Sequence, residues 1–148
     1  MDKRVAAVER LFRALGDATR LRILGLLSTG EVCVCHIHES LQLSQPKVSR
    51  HLASLRRAGL VDTRRQGLWV YYRLAGAKDP VEHAIRQAVA HTLGHLETLR
   101  RDARRLQKKT GCCLPVSSEP PALMCCGPGK AAVRHRRQVA LGVGPGHQ

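Results

Sequence analysis

"LSQPKVSRHLASLRRAGLVDTRRQGLWVYYRL", residues 43–74, changes its hydrophobic period part-way along. In the first half Val48, Leu52 and Leu55 recur at helical spacing and leave Gln45, Lys47, Ser49, Arg50 and His51 to solvent or a partner. Ser44 is a good N-cap, Pro46 is tolerated in a first helical turn, and Gly59 suits the position just past a helix end, so a helix is predicted over residues 45–58. The second half then reads as extended chain. Residues 60–63 and 68–74 are rich in β-branched and aromatic side chains, with Gly67 in the connection. This is a two-stranded hairpin whose tip carries Arg64, Arg65 and Gln66.

Working outward, Asp17 is a plausible N-cap for the periodic run Leu21, Ile23, Leu24, Leu26 and Leu27, and Gly30 ends it. A short helix is expected over residues 34–41. Helix, short turn, helix and basic hairpin is the order of a winged helix-turn-helix, a mostly α fold with a small β-hairpin. In that arrangement the first helix crosses the DNA backbone, the second enters the major groove, and the hairpin reaches phosphates or the minor groove. Ser44, Gln45, Lys47, Ser49, Arg50 and His51 supply hydroxyl, amide and cationic donors for bases and phosphates; Arg64, Arg65 and Gln66 suit the wing.

The flanks add helices. Val5, Val8, Leu11, Phe12 and Leu15 recur at helical spacing near the start. Val81, Ile85, Val89, Leu93, Leu96, Leu99, Ala103 and Leu106 form one stripe along a single long helix predicted over residues 80–109. That stripe exceeds what a small domain needs for its own core, so a partner helix, and hence a dimer, is inferred. Residues 1–109 are thus expected to form the DNA-binding and dimerisation domain. Residues 110–148 lack periodicity and are rich in Pro and Gly, with Lys130, Arg134, Arg136 and Arg137 against Glu119. They read as a disordered basic tail.

The composition agrees with a polyanionic partner. Across 148 residues the formal charge is +14, which suggests nucleic acid first and an anionic membrane second. No apolar run approaches the ~20 residues of a membrane span, and charges interrupt any signal-like segment at the N-terminus. The only aromatic residues are Phe12, Trp69, Tyr71 and Tyr72, so the core must be aliphatic. Six cysteines occur as the pairs Cys33/Cys35, Cys112/Cys113 and Cys125/Cys126, not spread as in a secreted disulfide scaffold. A reducing cytoplasm, with thiolates available to soft metals, fits better.

"EVCVCHIHES", residues 31–40, places Cys33 and Cys35 at the start of the first helix of the DNA-reading pair. Soft metal ions select sulfur ligands. In a regular helix residues two apart point ~200° from each other. The two thiols are therefore expected to hold one ion only if the helix start unwinds, which would distort the DNA-reading pair. His36 and His38 are expected at the surface, although zinc could use either. His91 and His95, four apart, could chelate but read as a solvated helix face.

With these motifs assembled, residues 43–74 resemble the DNA-binding half of the ArsR/SmtB family of metal-sensing repressors. "EVCVCHI" resembles the ELCVCDL box of the arsenic-responsive branch. The resemblance spans roughly residues 5–106. It implies a homodimer, with first and last helices at the interface, that sits on double-stranded operator DNA until an inducer, As(III) or Sb(III), binds Cys33 and Cys35. It implies no catalytic cofactor and no membrane. Arsenic-responsive relatives often carry a third cysteine where this chain has His38, so the third ligand is absent or comes from the tail. Adjacent cysteines just past the last helix occur in relatives that sense arsenicals, methylated trivalent ones included, which makes Cys112 or Cys113 candidates, on this subunit or the other.

The alternatives within the family are cadmium, lead and zinc sensing. Cadmium/lead sensors complete the box with N-terminal cysteines, and no cysteine precedes Cys33 here. Zinc sensors use a last-helix pattern that Asp79, His83, His91 and His95 do not reproduce. An enzyme, such as a thiol oxidoreductase, is the competing class. It is disfavoured because no cysteine lies in a C-x-x-C motif and none has an adjacent catalytic base.

Overall fold

The computed structural model describes residues 2–109. Helix α1, Lys3–Leu15, starts where the Asp2 side chain accepts the Arg4 N–H, and buries Leu11, Ala14 and Leu15. Helix α2, Ala18–Leu27, is capped by Asp17, which accepts from the Arg20 N–H at 2.9 Å. Then come strand β1, Val32–Cys33, and helix α3, Val34–Leu41. The chain turns through Gln42, the one non-glycine residue with positive φ (57°) among those described, into helix α4, Gln45–Arg57. Strands β2, Val61–Gln66, and β3, Trp69–Leu74, follow, and helices α5, Pro80–Leu93, and α6, Glu97–Lys109, complete the described chain. The α3–α4 pair followed by the β2–β3 hairpin is a winged helix-turn-helix.

The core is aliphatic, as the scarcity of aromatics requires. Ile23, Leu26, Leu27, Ile37, Val48, Leu52 and Leu55 are almost wholly buried, joined by the single aromatic Tyr71. Each such aliphatic side chain contributes roughly 1.5–3 kcal/mol by leaving water. Arg86 ties α5 to the base of the β2–β3 hairpin, donating to the carbonyls of Gly59 just before it and Ala75 just after it, and to Glu82. Among the described residues no helix is long and apolar enough to cross a membrane.

Two expectations are corrected. The sheet has three strands, not two, in the order β1–β3–β2, all neighbours antiparallel. Val32 pairs with Tyr72 and Cys33 with Tyr71, so the thiol box is hydrogen-bonded into the wing.

The helix predicted over residues 80–109 is two helices. Glycine is a poor helix former. At Gly94 the ladder tightens, with the N–H of His95 donating to Thr92 and that of Leu96 to Leu93, three residues back. The break lets α6 turn back over α2 and α3. Leu93 and Leu106 are buried and Ile85, Val89 and Leu99 pack against the core, so the stripe largely serves its own chain. Val81 and Leu96 stay exposed, with Val5 and Phe12 of α1. The division at residue 109 and the cysteines beyond it concern residues 110–148, outside those described.

Candidate DNA-reading face and thiol site

Helix α4 packs on Val48, Leu52 and Leu55, all fully buried, and this fixes which side faces outward. Ser44, Gln45, Lys47 and Arg50 are exposed there, and Ser49 is half-buried. The Ser44 hydroxyl makes no capping bond, so it too is available to a partner. His51 is half-buried and turned toward the start of α2, with Nδ1 3.5 Å from Asp17 Oδ1. Burial pushes the Asp17 carboxyl up, but the backbone bond from Arg20 and the charges of Arg20 and His51 outweigh it and hold Asp17 below its ordinary value.

The wing turns through Gly67 and Leu68, since Gln66 pairs with Trp69. Gly67 has φ 58°, as the first position of a tight hairpin turn requires. Arg65 is exposed. Arg64 is held back: its Nε donates to Glu31 Oε1 at 2.9 Å, Nη2 donates to the same oxygen, and Nη1 donates to Gln66 Oε1 at 2.8 Å. Its guanidinium also lies 4.7 Å from the centre of the Tyr71 ring. Of the three wing residues read as DNA contacts, Arg64 and Gln66 hold each other and Arg65 alone projects freely.

At the thiol box the geometry corrects the expectation of divergent sulfurs. Cys33 is the N-cap of α3, with extended backbone (φ −68°, ψ 143°), so the 200° helical rotation does not apply to it. The Cys33 and Cys35 sulfurs are 2.7 Å apart and not joined as a disulfide. Cys33 is fully buried and Cys35 half-buried. Both sit at the N-terminal end of α3, whose partial positive charge suits thiolate sulfur.

His36 and His38 are also corrected. His36 is buried, and His38 is half-buried with Nδ1 3.2 Å from the Leu43 carbonyl. The two sulfurs thus form a soft donor pair suited to a thiophilic ion. Among the described residues no third His, Cys, Asp or Glu completes such a group. Asp79 instead caps α5, accepting from the Glu82 N–H at 2.9 Å. The His91 and His95 rings meet edge-on with centroids 5.0 Å apart, but His95 lies beyond the end of α5.

The sequence reading missed strand β1 and the Glu31–Arg64 bridge. Val32 and Val34, both β-branched, were a signal for the strand; nothing local signals the bridge.

Comparison with known proteins agrees with this geometry. The sequence profile described as "Bacterial regulatory protein, arsR family" matches residues 17–63. The arsenical resistance operon repressor of Staphylococcus aureus is 36% identical over 103 residues, covering 70% of this chain and 92% of that protein. The chain belongs to the arsR family. Another arsR-family similarity is to the arsenical resistance operon repressor of Escherichia coli K12, 57% identical over 67 residues, 45% of this chain and 57% of that protein. Across the first such relatives the chain spans between 51% and 57% of their length. A solution structure described as a homodimeric winged helix-turn-helix DNA-binding domain, from Mycobacterium bovis, superposes with a TM-score of 0.52 at 37% identity, covering 66% of this chain and 91% of that one.

Proposed function

We propose that this arsR-family chain is an arsenic- and antimony-responsive transcriptional repressor. It binds operator DNA as a homodimer through α4 and the wing, and is released when As(III) or Sb(III) is held by the Cys33 and Cys35 thiolates. The observation that carries this reading is the convergence of the two sulfurs, 2.7 Å apart, at the start of the first helix of the DNA-reading pair. Two relatives named as arsenical resistance operon repressors support the choice of inducer.

In this reading residues 1–109 bind DNA and dimerise. The dimer uses the first and later helices, where Val5, Phe12 and Val81 are exposed apolar side chains. Ser44, Gln45, Lys47, Ser49 and Arg50 serve base and phosphate contacts, Arg65 extends from the wing, and His51, Arg64 and Gln66 sit behind them. Ligation acts at a corner shared by two DNA-contacting elements, because Cys33 pairs with Tyr71 of the wing and α3 packs on α4. Release requires the ion to bind the free form more tightly than the DNA-bound form, and tenfold release needs ~1.4 kcal/mol of that coupling.

The test is operator binding by the reduced full chain, titrated in parallel with As(III), Sb(III), Cd(II), Pb(II), Zn(II) and a methylated trivalent arsenical. Release by arsenite and antimonite at the lowest concentrations, lost in Cys33→Ser and Cys35→Ser, is the expected result. Release by another ion in preference overturns the inducer, and no operator binding in any state overturns the repressor.

A further inference from the structure

We propose that Glu31 couples the thiol pair to the wing: its carboxylate straps Arg64 of β2 to the strand that carries Cys33, so that ligation at Cys33 repositions the wing. This rests on the thiolate reading above and names the route by which that site reaches a DNA-contacting element.

The route follows the register of the sheet. Cys33 of β1 pairs with Tyr71 of β3, and Tyr71 pairs on its other side with Arg64 of β2. The three residues form one row, and directly opposed residues of antiparallel strands present their side chains on the same face. Cys33 and Tyr71 are buried, and the Arg64 guanidinium lies 4.7 Å from the centre of the Tyr71 ring. Glu31, two residues before Cys33, closes the row. Its Oε1 accepts from Arg64 Nε at 2.9 Å and from Arg64 Nη2. Strands β1 and β2 are not neighbours in the sheet, and this bridge joins them across β3.

Burial keeps the strap closed. The Glu31 side chain is 14% exposed, against 38% for Arg64. A carboxylate so far out of water is strongly penalised if its cation leaves. Arg64 therefore cannot swing out to a phosphate without stranding Glu31, and its task is positional. Arg64 Nη1 also donates to Gln66 Oε1 at 2.8 Å, and the residue between them, Arg65, is the exposed wing cation. Movement of Glu31 thus reaches Arg65 through Arg64.

Ligation supplies the movement. Arsenous acid exchanges two As–O bonds for two As–S bonds, the thiol protons leaving with hydroxide as water and no oxidation state changing. With metal–sulfur bonds of ~2.3 Å meeting at a right angle or wider, two sulfurs on one ion stand ~3.3 Å or more apart. The Cys33 and Cys35 sulfurs are 2.7 Å apart and must open. Cys33 is the last residue of β1, so its displacement carries the strand and Glu31 with it.

The experiment uses the full reduced chain and reads the wing directly, because the only tryptophan of the sequence, Trp69, opens β3. Arsenous acid should shift the Trp69 emission of the natural chain without DNA and release that chain from operator. In Glu31→Gln, arsenic retained after desalting should match the natural chain, while the emission shift disappears and release weakens about fivefold or more. Arg64→Ala should uncouple the two in the same way. An emission shift and release at the natural level in Glu31→Gln overturn the proposal, and so does loss of arsenic binding, which would make Glu31 part of the ligand site. An Arg64→Ala chain that releases normally but loses ~0.9 of the salt slope also overturns it, since Arg64 would then be a phosphate contact. Arsenic retained equally by Cys33→Ser/Cys35→Ser overturns the underlying thiolate reading instead. The strap is then decided without arsenic: acrylamide quenching of Trp69 in the ligand-free chain should rise in Glu31→Gln, and equal quenching overturns it.

Discussion

The outer face of α4 and the corner where β1 meets α3 are both read as functional, yet the fold treats them oppositely. On α4 the side chains of Ser44, Gln45, Lys47 and Arg50 are exposed and enter no hydrogen bond or ion pair among the described residues. At the corner Val32, Cys33, His36 and Ile37 are buried, and Glu31 is bound to Arg64. A surface that recognises DNA can be spare to the fold, because its partner arrives later. A site that must turn ligand binding into movement has to be part of what holds the domain together.

The strongest challenge to that contrast is Ile37→Ala. Ile37 is wholly buried in the helix carrying the thiols, and removing it should cost ~2–5 kcal/mol of stability in urea unfolding. A loss below ~1 kcal/mol would mean that the corner is not structural. Cys33→Ser comes next. Serine is a favoured N-cap, but its hydroxyl would be buried, so a net loss of ~1 kcal/mol is expected alongside abolished arsenite release.

On the other face, Lys47→Ala and Arg50→Ala should leave stability within ~0.5 kcal/mol. Each should weaken binding to operator and unrelated DNA alike and lower the salt slope by ~0.9 for every phosphate no longer neutralised. A stability loss as large as that of Cys33→Ser would erase the distinction between the two regions.

The smallest effect concerns acid. The Asp17 and Glu82 carboxyls are raised by burial but held below their ordinary values overall, by backbone hydrogen bonds and by Arg20 and Arg86 respectively. A depressed folded-state value means stability that is present above the ordinary carboxylate range and lost as pH falls through that range to the lowered value. Urea midpoints from pH 7 to pH 3 should fall less steeply for Asp17→Asn and Glu82→Gln than for the natural chain.

What the sequence made legible is what local pattern controls. Asp17 and Ser44 mark helix starts, Val48, Leu52 and Leu55 orient α4, and Gly67 marks the wing turn. Strand β1 escaped because two residues carry too little pattern and its partner, β3, lies some forty residues on. The break at Gly94 escaped because the apolar stripe continues through it in register, so periodicity alone could not separate one helix from two. The convergence of Cys33 and Cys35 depends on one residue's backbone angles, which spacing does not reveal.

Gly25 carries a last consequence. It lies within α2, where glycine is ~1 kcal/mol worse than alanine, and a Cβ built there would come 2.5 Å from Leu99 Cδ2 and 3.1 Å from Cγ. The missing side chain is the seat of α6. Position 25 is therefore where α2 and α6 approach most intimately, and any side chain added there has to be met by a shift of the Leu99 side chain.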